Sequence, residues 1–354
     1  MRWMGAMLVL IPLSIALRLM SADPAWVFTS AALAIVPLAA FIGAATEELA
    51  KHLGPSIGGL LNATFGNAAE LIITLAAIRA GELDVVRAAV VGSIIGNILL
   101  VLGASILVGG LRYKTLQFRP DVASTHTVTL VLAVIGICVP SLFVHSVPGA
   151  AGSASDPAVE QLSLWVSGVL IAIYIGNLVF TLFTHAEMFA KPDEGNDERP
   201  AWSQAVAYAV LAAATAVTVV ESEMLVRAIE PTVRASGLNR LFVGVVIVPI
   251  VGNAAEHASA VTMAARNRME VSLSIAVSSS TQIALFVAPL LVFVSIPLGH
   301  PMPFVFNDFE LIAVGFAAVI AAFIARDGRC KWIEGAQLLA VYAILALAFF
   351  FIPR

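Results

Sequence analysis

Long apolar runs separated by short polar punctuation dominate this chain. The runs match the length needed to cross a bilayer, about 20 mostly apolar residues per helix. Eleven stretches qualify, near Trp3–Met20, Trp26–Glu48, Ser56–Ala80, Val85–Gly109, Val122–Val144, Val159–Phe183, Trp202–Ala228, Leu241–Ala265, Val271–Ile296, Phe309–Ala325 and Trp332–Ile352. The first resembles a signal peptide, since Arg2 precedes it and small residues follow, but Pro12 and the length of the run favour a retained helix. Two segments interrupt the pattern. Ser146–Pro157 is rich in Gly, Ser and Pro and reads as a surface loop, and Lys191–Pro200 (KPDEGNDERP) is the strongly polar segment that divides the sequence into halves. The expected organisation is an N-terminal transmembrane helix over residues 1–22, a first five-helix repeat over 25–186, a polar linker over 187–200 and a second five-helix repeat over 201–354.

Composition agrees with an all-α membrane protein. Hydrophobic residues make up 60% and charged residues 12%, with a mean hydropathy of +0.97, whereas soluble domains carry about 25% charge. Basic residues are scattered in short loops with no patch for nucleic acid, and the net charge is -4. Cys138 and Cys330 have no metal or redox spacing, and the six histidines form no HxxxH or HxH pair. Most Lys and Arg residues, including Arg2, Lys51, Arg112, Lys114, Arg266 and Arg268, fall on one side if the amino terminus is cytoplasmic. That bias predicts a multi-pass protein of the cell membrane with a cytoplasmic amino terminus and linker and an external carboxyl terminus.

The pentapeptide GNAAE occurs twice, at Gly66–Glu70 and Gly252–Glu256, each time inside an apolar run. An acidic side chain at mid-membrane costs about 2.5 to 3.5 kcal/mol, so each glutamate marks a candidate functional site. The copies fall on the third and eighth runs, an odd number apart, and so enter the membrane from opposite sides. Flanking segments repeat as well: TEELA (Thr46–Ala50) matches SEMLV (Ser222–Val226), and GSIIGNILLVLGA (Gly92–Ala104) matches SSSTQIALFVAP (Ser278–Pro289). Such inverted repeats place a substrate site near the bilayer midplane. Gly58, Gly59 and Gly66 precede Glu70, and Gly244, Pro249 and Gly252 precede Glu256; helix-weakening residues of this kind interrupt membrane helices beside cavities.

Asn67 and Glu70 are three residues apart, as are Asn253 and Glu256, so a continuous helix would put each pair on one face. Ser93 with Asn97, and Ser279 with Gln282, offer further oxygens from the following helices. This carboxylate, amide and hydroxyl set suits a hard cation such as Ca²⁺. A carboxylate that loses its cation in a desolvated site favours the neutral acid, so proton and metal would compete for Glu70 and Glu256. His257 is a candidate proton participant beside Glu256, and Glu47 and Glu223 are candidates for lining the ion's approach, or else helix-end charges at the water boundary.

GLLNATFGNAAELI (Gly59–Ile72), GSIIGNILLVLG (Gly92–Gly103), LFTHAEMF (Leu182–Phe189), GNAAEH (Gly252–His257) and SSSTQIALFVAP together resemble the cation/proton exchanger family of the calcium/cation antiporter superfamily. The resemblance covers the second to eleventh helices. It implies eleven helices, the first outside two inverted five-helix repeats, and exchange of cytosolic Ca²⁺ for protons with no cofactor. It also implies that Glu70 and Glu256 are the central ligands, helped by Asn67, Asn253, Asn97, Gln282, Ser93 and Ser279. Ser278 stands where the family's later motif opens on glycine, which bears on helix packing. Ala69 and Ala255 stand where sodium/calcium exchangers carry proline, which argues for protons as counter-ion. Asp193, Glu194, Asp197 and Glu198 fit the family's acidic linker loosely. Expected partners are Ca²⁺, H⁺ and the lipid bilayer, with homo-oligomerisation left open. The competing readings are a Na⁺ or K⁺/H⁺ antiporter using the same site, a passive cation channel, and an intramembrane enzyme, the last disfavoured because no HExxH or nucleophile-base pair is present.

Overall fold

The computed structural model describes residues 2–146, 156–189 and 200–352. Most of the expected surface loop, and the linker with Asp193, Glu194, Asp197 and Glu198, lie outside them. The described chain is helical apart from one short antiparallel pairing, Leu116–Gln117 with Arg329–Cys330. Nine of its helices are long and apolar enough to cross a membrane: Pro24–Leu53, Ile57–Arg79, Leu83–Tyr113, Pro120–Val144, Pro157–Thr184, Gln204–Ser236, Met269–Ser295, Asp308–Arg326 and Trp332–Phe351. The pair Arg240–Gly252 and Ala254–Ala265, bent by 64°, makes a tenth if counted as one span, and Gly5–Leu19 is a shorter apolar helix.

Two compact units emerge, each drawing on both halves of the sequence. The first comprises Met1–Ala76, Ile173–Gly237 and Val251–Ala255. Its long helices, Pro24–Leu53 and Gln204–Ser236, pack along one another over a core of Leu38, Ile42, Ala45, Leu49, Ala207, Leu211 and Ala214. Small side chains in that seam let the helices approach closely, the usual packing device where lipid removes the hydrophobic drive. Local chemistry sets the helix ends. Asp23 accepts a hydrogen bond from the Ala25 amide at 2.8 Å with Pro24 opening the helix, and Gly237, at φ 78°, supplies the left-handed residue that closes Gln204–Ser236. At the far end of the seam Glu48 takes hydrogen bonds from Lys51 Nζ at 2.8 Å and the Trp202 amide at 3.0 Å.

The second unit comprises Ala77–Ala172, Leu238–Ile250 and Glu256–Arg354. Leu83–Tyr113 is the most buried span, with 83% of its apolar window covered, followed by Met269–Ser295 at 67%. Trp332–Phe351, at 17%, is peripheral. Both central spans contain a π-helical segment, Gly96–Val101 and Ile283–Val287, at corresponding places in the repeated sequence. Such widened turns release backbone groups from regular pairing and recur at functional sites. Gly92 makes the closest approach in this unit: a Cβ there would lie 2.1 Å from the Val245 carbonyl oxygen, so only glycine lets the two backbones meet.

Candidate functional site

Both GNAAE motifs sit at interruptions. Pro55–Phe65 ends before Gly66 and Asn67, and a new helix starts at Ala68 with Glu70 in its first turn. In the second copy Arg240–Gly252 ends before Asn253, and Ala254–Ala265 starts with Glu256 in its first turn. A helix start presents unpaired amides and the positive end of the dipole, which favours a negative side chain there. The glutamates are therefore held by helix starts rather than buried in the middle of regular helices, and each asparagine stands in the break ahead of its helix, not on a continuous helical face.

Within the first unit, Asn253 Nδ2 donates to Glu70 Oε1. The amide of one repeat thus serves the carboxylate of the other, a pairing the three-residue spacing did not suggest. Glu70, Asn67 and Asn253 are all buried. Gly252 makes room for this contact, because a Cβ there would stand 2.9 Å from Glu70 Cγ. Tyr174, from the Pro157–Thr184 span, donates its hydroxyl to the Ala63 carbonyl at 3.1 Å, satisfying an acceptor near the end of Pro55–Phe65.

Within the second unit, Asn97 Nδ2 donates to Ser279 Oγ at 3.1 Å, and Ser279 Oγ donates to Glu256 Oε2 at 2.7 Å. This relay runs from the middle of Leu83–Tyr113 through Met269–Ser295 to Glu256. Ser93, Asn97 and Ser279 are buried, whereas Gln282 and Glu256 are half-buried. His257 is half-buried, and among the described residues its Nε2 meets no hydrogen-bond partner. Ser279→Ala removes this donor to Glu256 and is expected to lower stability, since a hydrogen bond to a charged group contributes about 1.5 to 3 kcal/mol; thermal unfolding of the purified protein reads this directly.

Of the predicted residues, the structure joins Glu70 to Asn253, and Glu256 to Ser279 and through it to Asn97. Glu47 is exposed and Glu223 half-exposed, each on the long helices of the first unit. Three acids outside the predicted site are buried as well. Glu48 is held by Lys51 and Trp202; Glu310 closes a reciprocal cap with Asn307 at 2.8 and 2.9 Å; Glu221 is fully buried on Gln204–Ser236. The signal for Glu310 was available, because Asn followed three residues later by Glu is a capping pattern. Among the described residues there is no group of three or more His, Cys, Asp or Glu side chains that could hold a metal ion.

Comparison with known proteins gives a consistent result. The model of the family described as sodium/calcium exchanger protein matches residues 24–183 and 206–351. The chain is 45% identical to a Ca²⁺/H⁺ antiporter of Synechocystis, covering 98% of this chain and 96% of the relative. It is 44% identical to the Ca²⁺/H⁺ antiporter ChaA of Bacillus subtilis, with 96% of each covered. Among solved structures, native YfkE superposes with a TM-score of 0.84 at 39% identity, over 98% of this chain and all of that one. The H⁺/Ca²⁺ exchanger CAX, at 13% identity and a TM-score of 0.72, shares the fold.

Proposed function

Because the chain belongs to the sodium/calcium exchanger family, we propose that it is a secondary active antiporter, not an enzyme, which exports cytosolic Ca²⁺ in exchange for H⁺ by alternating access. The carrying observation is the pair of glutamates, Glu70 and Glu256, each set in the first turn of a helix that begins inside an apolar run and each bonded by a neutral donor, Asn253 or Ser279. A hydrogen bond from a neutral amide or hydroxyl orients a carboxylate without adding charge to it.

In this reading Glu70 and Glu256 take up Ca²⁺ and protons alternately. Asn67, Asn253, Ser93, Asn97, Ser279 and Gln282 supply or orient the remaining oxygens. When Ca²⁺ departs, a desolvated carboxylate accepts a proton sooner than remain charged and alone, and the return of the protonated form across the membrane completes the exchange. His257 and the acids Glu47 and Glu223 are assigned accessory roles in proton transfer and ion entry. Ca²⁺ is cargo, and no cofactor is involved.

The same reading counts eleven membrane crossings: the nine long helices, the bent pair as one, and Gly5–Leu19 as the first, outside two inverted five-helix repeats. With the amino terminus cytoplasmic, basic residues concentrate inside and the carboxyl terminus lies outside. A Na⁺ or K⁺/H⁺ antiporter is the alternative in the same site. Purified protein reconstituted into vesicles with an internal pH indicator separates them: micromolar Ca²⁺ is expected to discharge an imposed proton gradient, and a response to Na⁺ or K⁺ without any to Ca²⁺ would overturn the ion assignment. Calcium flux with no movement of protons would instead indicate a channel.

A further inference from the structure

Away from the two clusters, the first unit buries an acid with no cation beside it. Glu221, on Gln204–Ser236, is 0% exposed, and both its carboxyl oxygens lie against one hydroxyl, that of Ser14 on Gly5–Leu19, at 2.8 and 2.9 Å. Ser14 is equally buried, and its Oγ also stands 2.7 Å from the Ile11 carbonyl oxygen. Three oxygens therefore surround a hydroxyl that owns a single proton. A serine in a helix ordinarily gives that proton to the carbonyl three or four residues back. The contact between Glu221 and Ser14 then needs a proton of its own, and a neutral carboxyl group supplies it.

The surroundings offer nothing to stabilise a charge instead. Arg18, one turn beyond Ser14, is exposed, and among the described residues Glu221 has no ion pair. Glu223, two residues along, is itself acidic. On Pro24–Leu53, which packs along Gln204–Ser236, Asp23 is occupied in capping the first turn, while Glu47, Glu48, Lys51 and His52 gather in the last turns, where Glu48 and His52 meet Trp202. Trp202 precedes Glu221 by nineteen residues, about 28 Å of helical rise. An ionised carboxylate buried without a cation is far costlier than its neutral acid.

We propose that Glu221 is a proton-binding site separate from the exchange carboxylates, and that its neutral acid clasps Gly5–Leu19 to Gln204–Ser236 through Ser14. The proton held there is a structural ligand of the first unit. It adds one polar point of attachment to a helix whose Ile11 already packs on the apolar core of the first unit.

Infrared difference spectra of the purified full-length protein, taken at neutral pH without Ca²⁺, test this independently of which ion is transported. Subtracting E221Q from the native protein is expected to reveal one carbonyl stretch of a neutral, hydrogen-bonded carboxylic acid and no change in the carboxylate bands. S14A is expected to keep that acid band but move it to the higher frequency of a more weakly bonded carbonyl or hydroxyl. Loss of a carboxylate band in E221Q, or an acid band that S14A leaves unmoved, would overturn the proposal. Glutamine keeps the shape and can donate to Ser14, so the comparison does not depend on a variant that fails to fold.

Discussion

Glu70→Gln and Glu256→Gln are each expected to abolish Ca²⁺-driven proton movement while leaving a folded, membrane-inserted protein. Glutamine preserves size and can still pair with Asn253 or Ser279, so packing at both helix starts survives. What disappears is the ability to change charge. A neutral amide can neither balance Ca²⁺ nor take up a proton when the cation leaves. Partners that merely support a metal ligand are worth about 10- to 100-fold in affinity, so loss of the ligand's own charge should lower transport by about a hundredfold or more, with little change in the melting temperature. Reconstituted flux measured beside thermal unfolding distinguishes this from misfolding. Retained exchange in both single variants would remove the proposed ligands.

The second large effect is expected at Gly92. Alanine there would place Cβ 2.1 Å from the Val245 carbonyl oxygen, against backbone that no side-chain rotation can relieve. Ordinary overpacking costs about 1 to 3 kcal/mol, and a clash between two backbones should lie at the upper end or beyond. The displaced segment carries the neighbouring Ser93, and the opposing one is the π-helical stretch Val243–Ile247. Gly92→Ala should therefore lower the melting temperature and suppress exchange together. Native stability with native flux would show that the two backbones are free to separate.

Much of this arrangement was legible in the sequence. The apolar runs locate the spans because a bilayer demands uninterrupted helices, and the observed helices Leu83–Tyr113, Met269–Ser295 and Asp308–Arg326 begin within two residues of the stretches expected near Val85, Val271 and Phe309. The duplicated GNAAE singled out both glutamates as candidates, and its glycines anticipated the interruptions at Gly66–Asn67 and Asn253. Relations between distant segments were not legible. Asn253 and Glu256 share a motif, yet Asn253 bonds Glu70, a pairing across 183 residues that only the tertiary fold creates. The approach of Gly92 to Val245, and of Ser14 to Glu221, are of the same kind. In helices apolar on every face, the 3.6-residue period carries little information about which side meets protein and which meets lipid. That is why Glu221 and Glu48 could not be told apart from the exposed Glu47 by position alone.

The claim on which the account turns is that the same two carboxylates hold either metal or protons. Its most direct test is Ca²⁺ binding to the purified protein in weakly buffered solution with a pH indicator, repeated over a range of pH. Proton release accompanying Ca²⁺ binding, an apparent affinity that falls as the solution is acidified, and loss of both in Glu70→Gln and Glu256→Gln are the expected results. Binding that releases no protons and keeps one affinity across that range would contradict the exchange chemistry proposed for this site.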